Sequence, residues 1–396
     1  MSDHSPDALT PPPGNPRFPL VDGLRAIAAL SIVVFHAGGA TFYTLSHPFG
    51  GYVARLNVGV TLFFVISGFL LYRPYLAARF DGPPAPQLRD YARRRALRIL
   101  PAYWVALLVL GVAADLSFNG HWWVYAFLLQ GYRLDWVLGG IGPAWSLSIE
   151  VAFYAALPFF AMGLARLERG RPRAAMIRIE IAGLALVYAG ALAVRMLAFH
   201  AAGGQAALHT TLLGTADWFA GGMALALASV VWQGRERSWA PARLVIDRPW
   251  IPWLLAAVLF FVVATRLGIQ NGFIPLYTGW QWLGQQVLFG LIGVLVALPA
   301  VFTGERRGVV RGLLGHPVAA WLGLISYGIF LWHDPVLVRW IKPHTIGWSH
   351  PFFGSLAVLV PVSIAFGAAS YYAVERPALR LKERRLVRRA GRPTAD

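Results

Sequence analysis

Apolar residues run along this chain in ten long blocks, broken by short stretches that carry nearly all the charge. The blocks lie near 24–42, 57–72, 99–115, 146–165, 181–200, 211–232, 251–266, 279–302, 318–338 and 352–373. A helix needs about 20 predominantly apolar residues to cross the hydrocarbon core of a bilayer. The pattern therefore predicts an all-α integral membrane protein with about ten transmembrane helices. An eleventh apolar segment, 121–131, is too short to cross and reads as re-entrant or interfacial.

The polar stretches alternate in sign content. Segment 73–98 holds Arg73, Arg79, Arg89, Arg93, Arg94, Arg95 and Arg98. Segments 166–180, 233–250 and 303–315 and the end of the chain are likewise rich in arginine, whereas the intervening ones are poor in Lys and Arg. Basic loops stay in the cytoplasm, so ten crossings place both termini there. With 57% hydrophobic residues and 13% charged, the composition is far from the roughly 25% charged residues of soluble domains. The net charge of +17 is explained by orientation in the bilayer, and a nucleic-acid partner is not expected. No cysteine is present, which removes disulfides, thiolate metal sites and a Cys nucleophile. No metal is expected. Residues 1–19 are polar and Pro-rich and read as a disordered cytoplasmic tail without a signal peptide. Residues 20–376 form the transmembrane domain, 377–396 a basic tail, and no separate soluble domain is expected. No inverted repeat of the transporter kind is visible.

Against this apolar background, buried ionisable residues are functional candidates, because charge in a membrane is costly. Arg25 and His36 lie eleven positions apart in the first block. At ~100° and ~1.5 Å per residue they share a helix face, with His36 ~16 Å deeper. Glu150 follows Trp145-Ser146-Leu147-Ser148-Ile149, Asp217 lies two turns into the sixth block, and His333-Asp334-Pro335 closes Ser326-Tyr327-Gly328-Ile329-Phe330-Leu331-Trp332. Given the orientation, these groups lie toward the outer side. Arg25, the Arg93–Arg98 run and Glu375-Arg376-Pro377 lie toward the inner side. A His with a carboxylate partner is a general base, with Glu150 or another carboxylate orienting His36. Arginines bind phosphate bidentately. The sorting suggests a phosphorylated cytoplasmic donor whose reactive end points into the membrane. Several of these residues also have plain roles: arginines as orientation charges, Trp145 as an interfacial aromatic, His333 paired with Asp334, and Ser67 as a helix-packing site. His121, His200, His209, His344 and His350 read as surface residues.

At these positions the chain resembles the membrane-bound acyltransferase family 3, whose members O-acylate bacterial surface sugars and some natural products. The resemblance rests on Arg25-x10-His36, on Gly59-Val60-Thr61-Leu62-Phe63-Phe64-Val65-Ile66-Ser67-Gly68-Phe69, and on Arg94-x3-Arg98-Ile99-Leu100-Pro101. It rests also on Trp145-Ser146-Leu147-Ser148-Ile149-Glu150-x2-Phe153-Tyr154 and on Ser326 to His333, all in family order. It implies an acyl-CoA donor, usually acetyl-CoA, with His36 catalytic, Arg25 essential and the second-motif arginine on Arg94 or Arg98. Glu150 is followed by Val151-Ala152 where many members have Glu-Gln. The expected site is thus His36, Glu150 and Arg25 for catalysis; Arg93, Arg94, Arg98 and Arg376 for the donor; and Trp145, Asp217, Tyr327 and His333 for a carbohydrate or glycosylated acceptor. A polytopic transporter or flippase of a glycan or small molecule is the rival reading, since intramembrane charges also couple ions.

Overall fold

The computed structural model describes residues 18–118, 120–202, 207–272, 277–303 and 308–380. Most of the tail segments 1–19 and 377–396, together with Arg306, Arg307 and the side chain of His209, lie outside the described residues. The remaining surface histidines, His121, His200, His344 and His350, are exposed.

Among the described residues every regular element is helical. The ten apolar blocks fall on α1 (Leu20–Ala40), α2 (Val58–Phe80), α3 (Leu88–Ala113), α4 (Trp145–Glu168), α5 (Arg173–Ala202), α6 (Ala216–Val231), α7 (Trp250–Thr265), α8 (Gly279–Val301), the pair α9 (Pro317–Leu324) and α10 (Ser326–Val336), and α11 (Pro351–Ser370). Among the described residues seven helices are long and apolar enough to cross a bilayer, and up to nine if each of two bent pairs is one span. The first pair, Ala240–Asp247 with α7, bends by 94°; the second, α9 with Ser326–Thr345, bends by 67°. At 16 residues α6 is a short apolar helix. Segment 121–131 yields a helix of five residues, Trp122–Ala126, and a 3₁₀ turn at Gln130–Tyr132.

Helices α2 and α3 both extend into the 73–98 stretch that reads as a loop, and for α2 the reason is that its arginines find partners on other helices. Helix α2 continues eight residues beyond its apolar block. Arg73 is buried and donates from Nε to Ser229 Oγ (3.1 Å) and from Nη2 to Gln233 Oε1 (2.6 Å). Arg79 bonds Glu180, the Ala161 carbonyl (3.0 Å) and the Tyr72 hydroxyl (3.1 Å), with Glu168 at 3.4 Å. These two are therefore not simple orientation charges: the ion pairs of Arg79 knit α2 to α4 and α5, and the hydrogen bonds of Arg73 knit it to α6. Helix α3 likewise starts at Leu88, so the whole Arg93–Arg98 run is helical.

The central packing is the crossing of α2 and α6, and it rests on two glycines. A Cβ on Gly68 would collide with the Phe219 carbonyl, and one on Gly222 with the Val65 carbonyl. Small residues let helix backbones touch in membranes, where dispersion and close packing hold helices together. Phe219 then stacks on Phe64 and Phe153, with ring centroids 4.5 and 4.0 Å apart. This places the Ser67 face of α2 opposite α1 and α4. Two π-helical turns, Leu337–Ile341 and Tyr371–Glu375, follow α10 and α11. Such turns often mark functional regions; here the second brings Glu375 inward to Arg98.

Candidate active site: two cavities with a shared wall

Helix α1 sends Arg25 and His36 into two different cavities. Arg25 lines a cavity of about 120 Å³ with Ser67 of α2, Arg95 and Arg98 of α3, Glu150 and Tyr154 of α4, and Tyr327 of α10. Three arginines face one carboxylate among these lining residues. That carboxylate is held: Ser67 Oγ donates to Glu150 Oε1 at 2.8 Å, and the Tyr154 hydroxyl donates to the same oxygen. Arg98 Nη1 lies 3.5 Å from the buried Glu375. Arg95 stacks over the Tyr154 ring, 5.7 Å from its centroid. The buried Arg95 Nε and Arg98 Nη2 make no hydrogen bond. Such donors suit an anion, since a guanidinium presents a rigid fork to phosphate or carboxylate oxygens.

His36 lines the second cavity, of about 510 Å³, with Asn57, Trp145, Asp334 and Lys342 among its polar or amphipathic walls. The imidazole is fixed by another imidazole. His333 Nε2 sits 3.1 Å from His36 Nδ1, and the ring centroids are 4.9 Å apart. His333 is fully buried, and its Nδ1 lies 2.8 Å from the Phe330 carbonyl and 3.2 Å from that of Ile329. Carbonyls only accept, so His333 Nδ1 carries a proton. With both rings neutral, His333 Nε2 is then an acceptor, and His36 Nδ1–H must donate to it. The same Nδ1 lies 2.9 Å from the Ile32 carbonyl, which also accepts. For neutral rings these contacts put the His36 proton on Nδ1 and the lone pair on Nε2.

The two cavities lie back to back, because Val60 of α2 and Phe330 of α10 line both. One helix face therefore spans a cationic chamber and a basic one, as the eleven-residue spacing predicts. Other expectations are redistributed. Glu150 is bonded in the Arg25 cavity and does not orient His36; His333 does that, and Asp334 is the carboxylate sharing the His36 cavity. Trp145 lines the His36 cavity, whereas Tyr327 lines the Arg25 cavity and donates to the Ile99 carbonyl at 2.9 Å. Asp217 lines neither: it accepts from Gln286 at 2.8 Å, because α6 turns that side toward α8. Arg93 and Arg94 do not line the Arg25 cavity, and Arg376 is exposed over the Tyr372 ring. Arg95 takes their place. The buried stripe Ile99, Ala102, Tyr103, Ala106 and Leu110, extended back one turn, lands on Arg95, and this helical signal was available in the sequence.

A family model described as an acyltransferase domain matches residues 18–372. Of curated proteins, the chain is similar to "Putative peptidoglycan O-acetyltransferase YrhL" of Bacillus subtilis (strain 168), at 29% identity over 385 residues, covering 91% of this chain and 54% of that protein. It is similar also to "Putative O-acetyltransferase SACOL0978" of Staphylococcus aureus (strain COL), at 23% identity, covering 91% and 57%. A third relative is "Putative membrane-bound transacylase BcsY" of Komagataeibacter xylinus, at 27% identity, covering 95% and 86%. The chain thus spans little more than half the length of the first two. No solved structure matches.

Proposed function

This chain belongs to the acyltransferase family, as a multi-pass membrane protein, and from that premise we propose that it moves an acetyl group from acetyl-CoA to a hydroxyl of a cell-surface carbohydrate. The Arg25 cavity takes the donor from the cytoplasm. Arg25, Arg95 and Arg98 hold the nucleotide phosphates at its mouth. The pantetheine arm reaches toward Val60 and Phe330; extended, it spans on the order of the ~16 Å by which helix rise separates Arg25 from His36. The acceptor enters the His36 cavity from the opposite side, where Trp145 offers an aromatic face for a sugar ring and Asp334 a hydrogen-bond acceptor. The membrane concerned is the cytoplasmic membrane, with both termini inside, following the arginine-rich loops.

The chemistry follows from the tautomer. His36 Nε2 takes the proton of the acceptor hydroxyl as its oxygen attacks the thioester carbonyl carbon. His333 accepts from Nδ1–H of the resulting imidazolium. The C–O bond forms, the C–S bond breaks, and the leaving CoA sulfur takes the proton from His36. The products are an ester and the free CoA thiol. Glu150, tied to Ser67 and Tyr154, keeps Tyr154 beneath Arg95 and so supports the donor cavity.

The observation that carries this reading is one helix face placing a tautomer-fixed imidazole base directly across a shared wall from a three-arginine cavity. The relative named as a peptidoglycan O-acetyltransferase favours a carbohydrate acceptor. The test is transfer of label from radiolabelled acetyl-CoA to soluble peptidoglycan fragments by the purified protein in nanodiscs, beside His36→Ala. Label transfer that His36→Ala abolishes while still binding CoA supports the assignment. Wild-type turnover in a folded His36→Ala protein, or solute flux without any use of acyl-CoA, would sink it.

A further inference from the structure

The wall between the cavities has a chemistry of its own. Val60 and Phe330 are the residues that both cavities share, and neither side chain carries a polar atom. Phe330 is buried, 6% exposed, within an apolar cluster that also holds Ile32, Ile99 and Leu147. Its backbone is the part that matters for the base, because its carbonyl receives His333 Nδ1–H. Its ring lies 6.0 Å from the His333 ring centroid. The side chain can therefore be changed without removing the hydrogen bond that fixes the tautomer.

We infer that Val60 and Phe330 form a collar that selects the acyl group by size. The inference rests on the acyltransferase reading above. For the C–O bond to form and the C–S bond to break, the thioester carbon must come within reach of the hydroxyl held by His36. The route proposed for the acyl group accordingly runs between these two side chains, the residues that the two cavities have in common. The donor side next to the collar is narrow, about 120 Å³, whereas the acceptor side is about 510 Å³. A two-carbon acyl group adds little bulk to the arm. A longer chain must fold back within the collar, where close-packed apolar walls give way reluctantly.

The experiment compares kcat/KM for acetyl-CoA and hexanoyl-CoA, with soluble peptidoglycan fragments as acceptor, in nanodiscs. The release of CoA thiol is read with a thiol reagent, which the chain itself does not consume because it has no cysteine. In Phe330→Ala the hexanoyl-to-acetyl ratio rises roughly ten- to a hundredfold over wild type, the discrimination a few methylenes carry in an apolar pocket. Phe330→Leu, a smaller change kept in case the alanine variant fails to fold, raises it by less. Val60→Phe narrows the collar and lowers turnover of both donors while CoA still raises the melting temperature as in wild type. A ratio within about threefold of wild type in a folded Phe330 variant, with acetyl transfer retained, would overturn the collar and leave the acyltransferase reading standing. Wild-type protein that releases no thiol from either donor would overturn both.

Discussion

At the residue scale, the proposed base and the imidazole that contacts it are two histidines 297 positions apart. His333 acts through His36 and is a positioning residue. His333→Ala should lower kcat by up to about a hundredfold, the cost of a base that loses its alignment, while KM for acetyl-CoA stays near wild type. His333→Gln should recover part of the loss, because a glutamine amide oxygen can accept from His36 Nδ1–H; equal kcat in the two variants would argue against the tautomer assignment. On the donor side, Arg25→Lys keeps the charge and loses the fork. We expect KM for acetyl-CoA to rise roughly ten- to a hundredfold, the share of about 1.5–3 kcal/mol that hydrogen bonds to charged groups contribute, with kcat changed far less. That Arg25 and His36 share a helix face was legible from their spacing. The partner of His36 was not, because carboxylate and imidazole partners look equally plausible until α1 and α10 are seen to pack.

At the element scale, the apolar blocks located the helices but not their ends. Arg73 and Arg79 read as loop charges because their partners, Ser229, Gln233, Glu168 and Glu180, come from helices distant in sequence. Helical phase carried more information than charge density did: it could have singled out Arg95 from the Arg93–Arg98 run, since that residue continues the buried stripe of α3. Asp217 shows the opposite failure. A buried carboxylate in a membrane helix looked like a contact for the acceptor, yet it lines neither cavity and accepts from Gln286 on α8. The α2–α6 crossing is where element packing is least tolerant. Gly222→Leu should destabilise the protein by about 1–3 kcal/mol, as overpacking does, with a lower melting temperature in detergent. A surface change such as Gly163→Ala, where a Cβ meets no atom within 4 Å, should leave it unmoved.

At the scale of the whole molecule, the proposed function assigns donor binding and chemistry to separate cavities, and stability can report on that separation. CoA at about 100 times its dissociation constant should add about 2.7 kcal/mol. The melting temperature should rise in wild type and in His36→Ala, and rise less in Arg98→Ala; a rise lost in His36→Ala would place the donor in the wrong cavity. The shared wall has a last consequence when the two cavities open to opposite sides. In the proposed reaction each turnover would then send an acyl cation equivalent outward, to the acceptor oxygen, and a proton inward, to the sulfur of CoA. The two movements carry equal charge in opposite directions across a partition one pair of side chains thick. Such an exchange is electrically silent, so a voltage imposed across proteoliposomes should neither drive the reaction nor stall it.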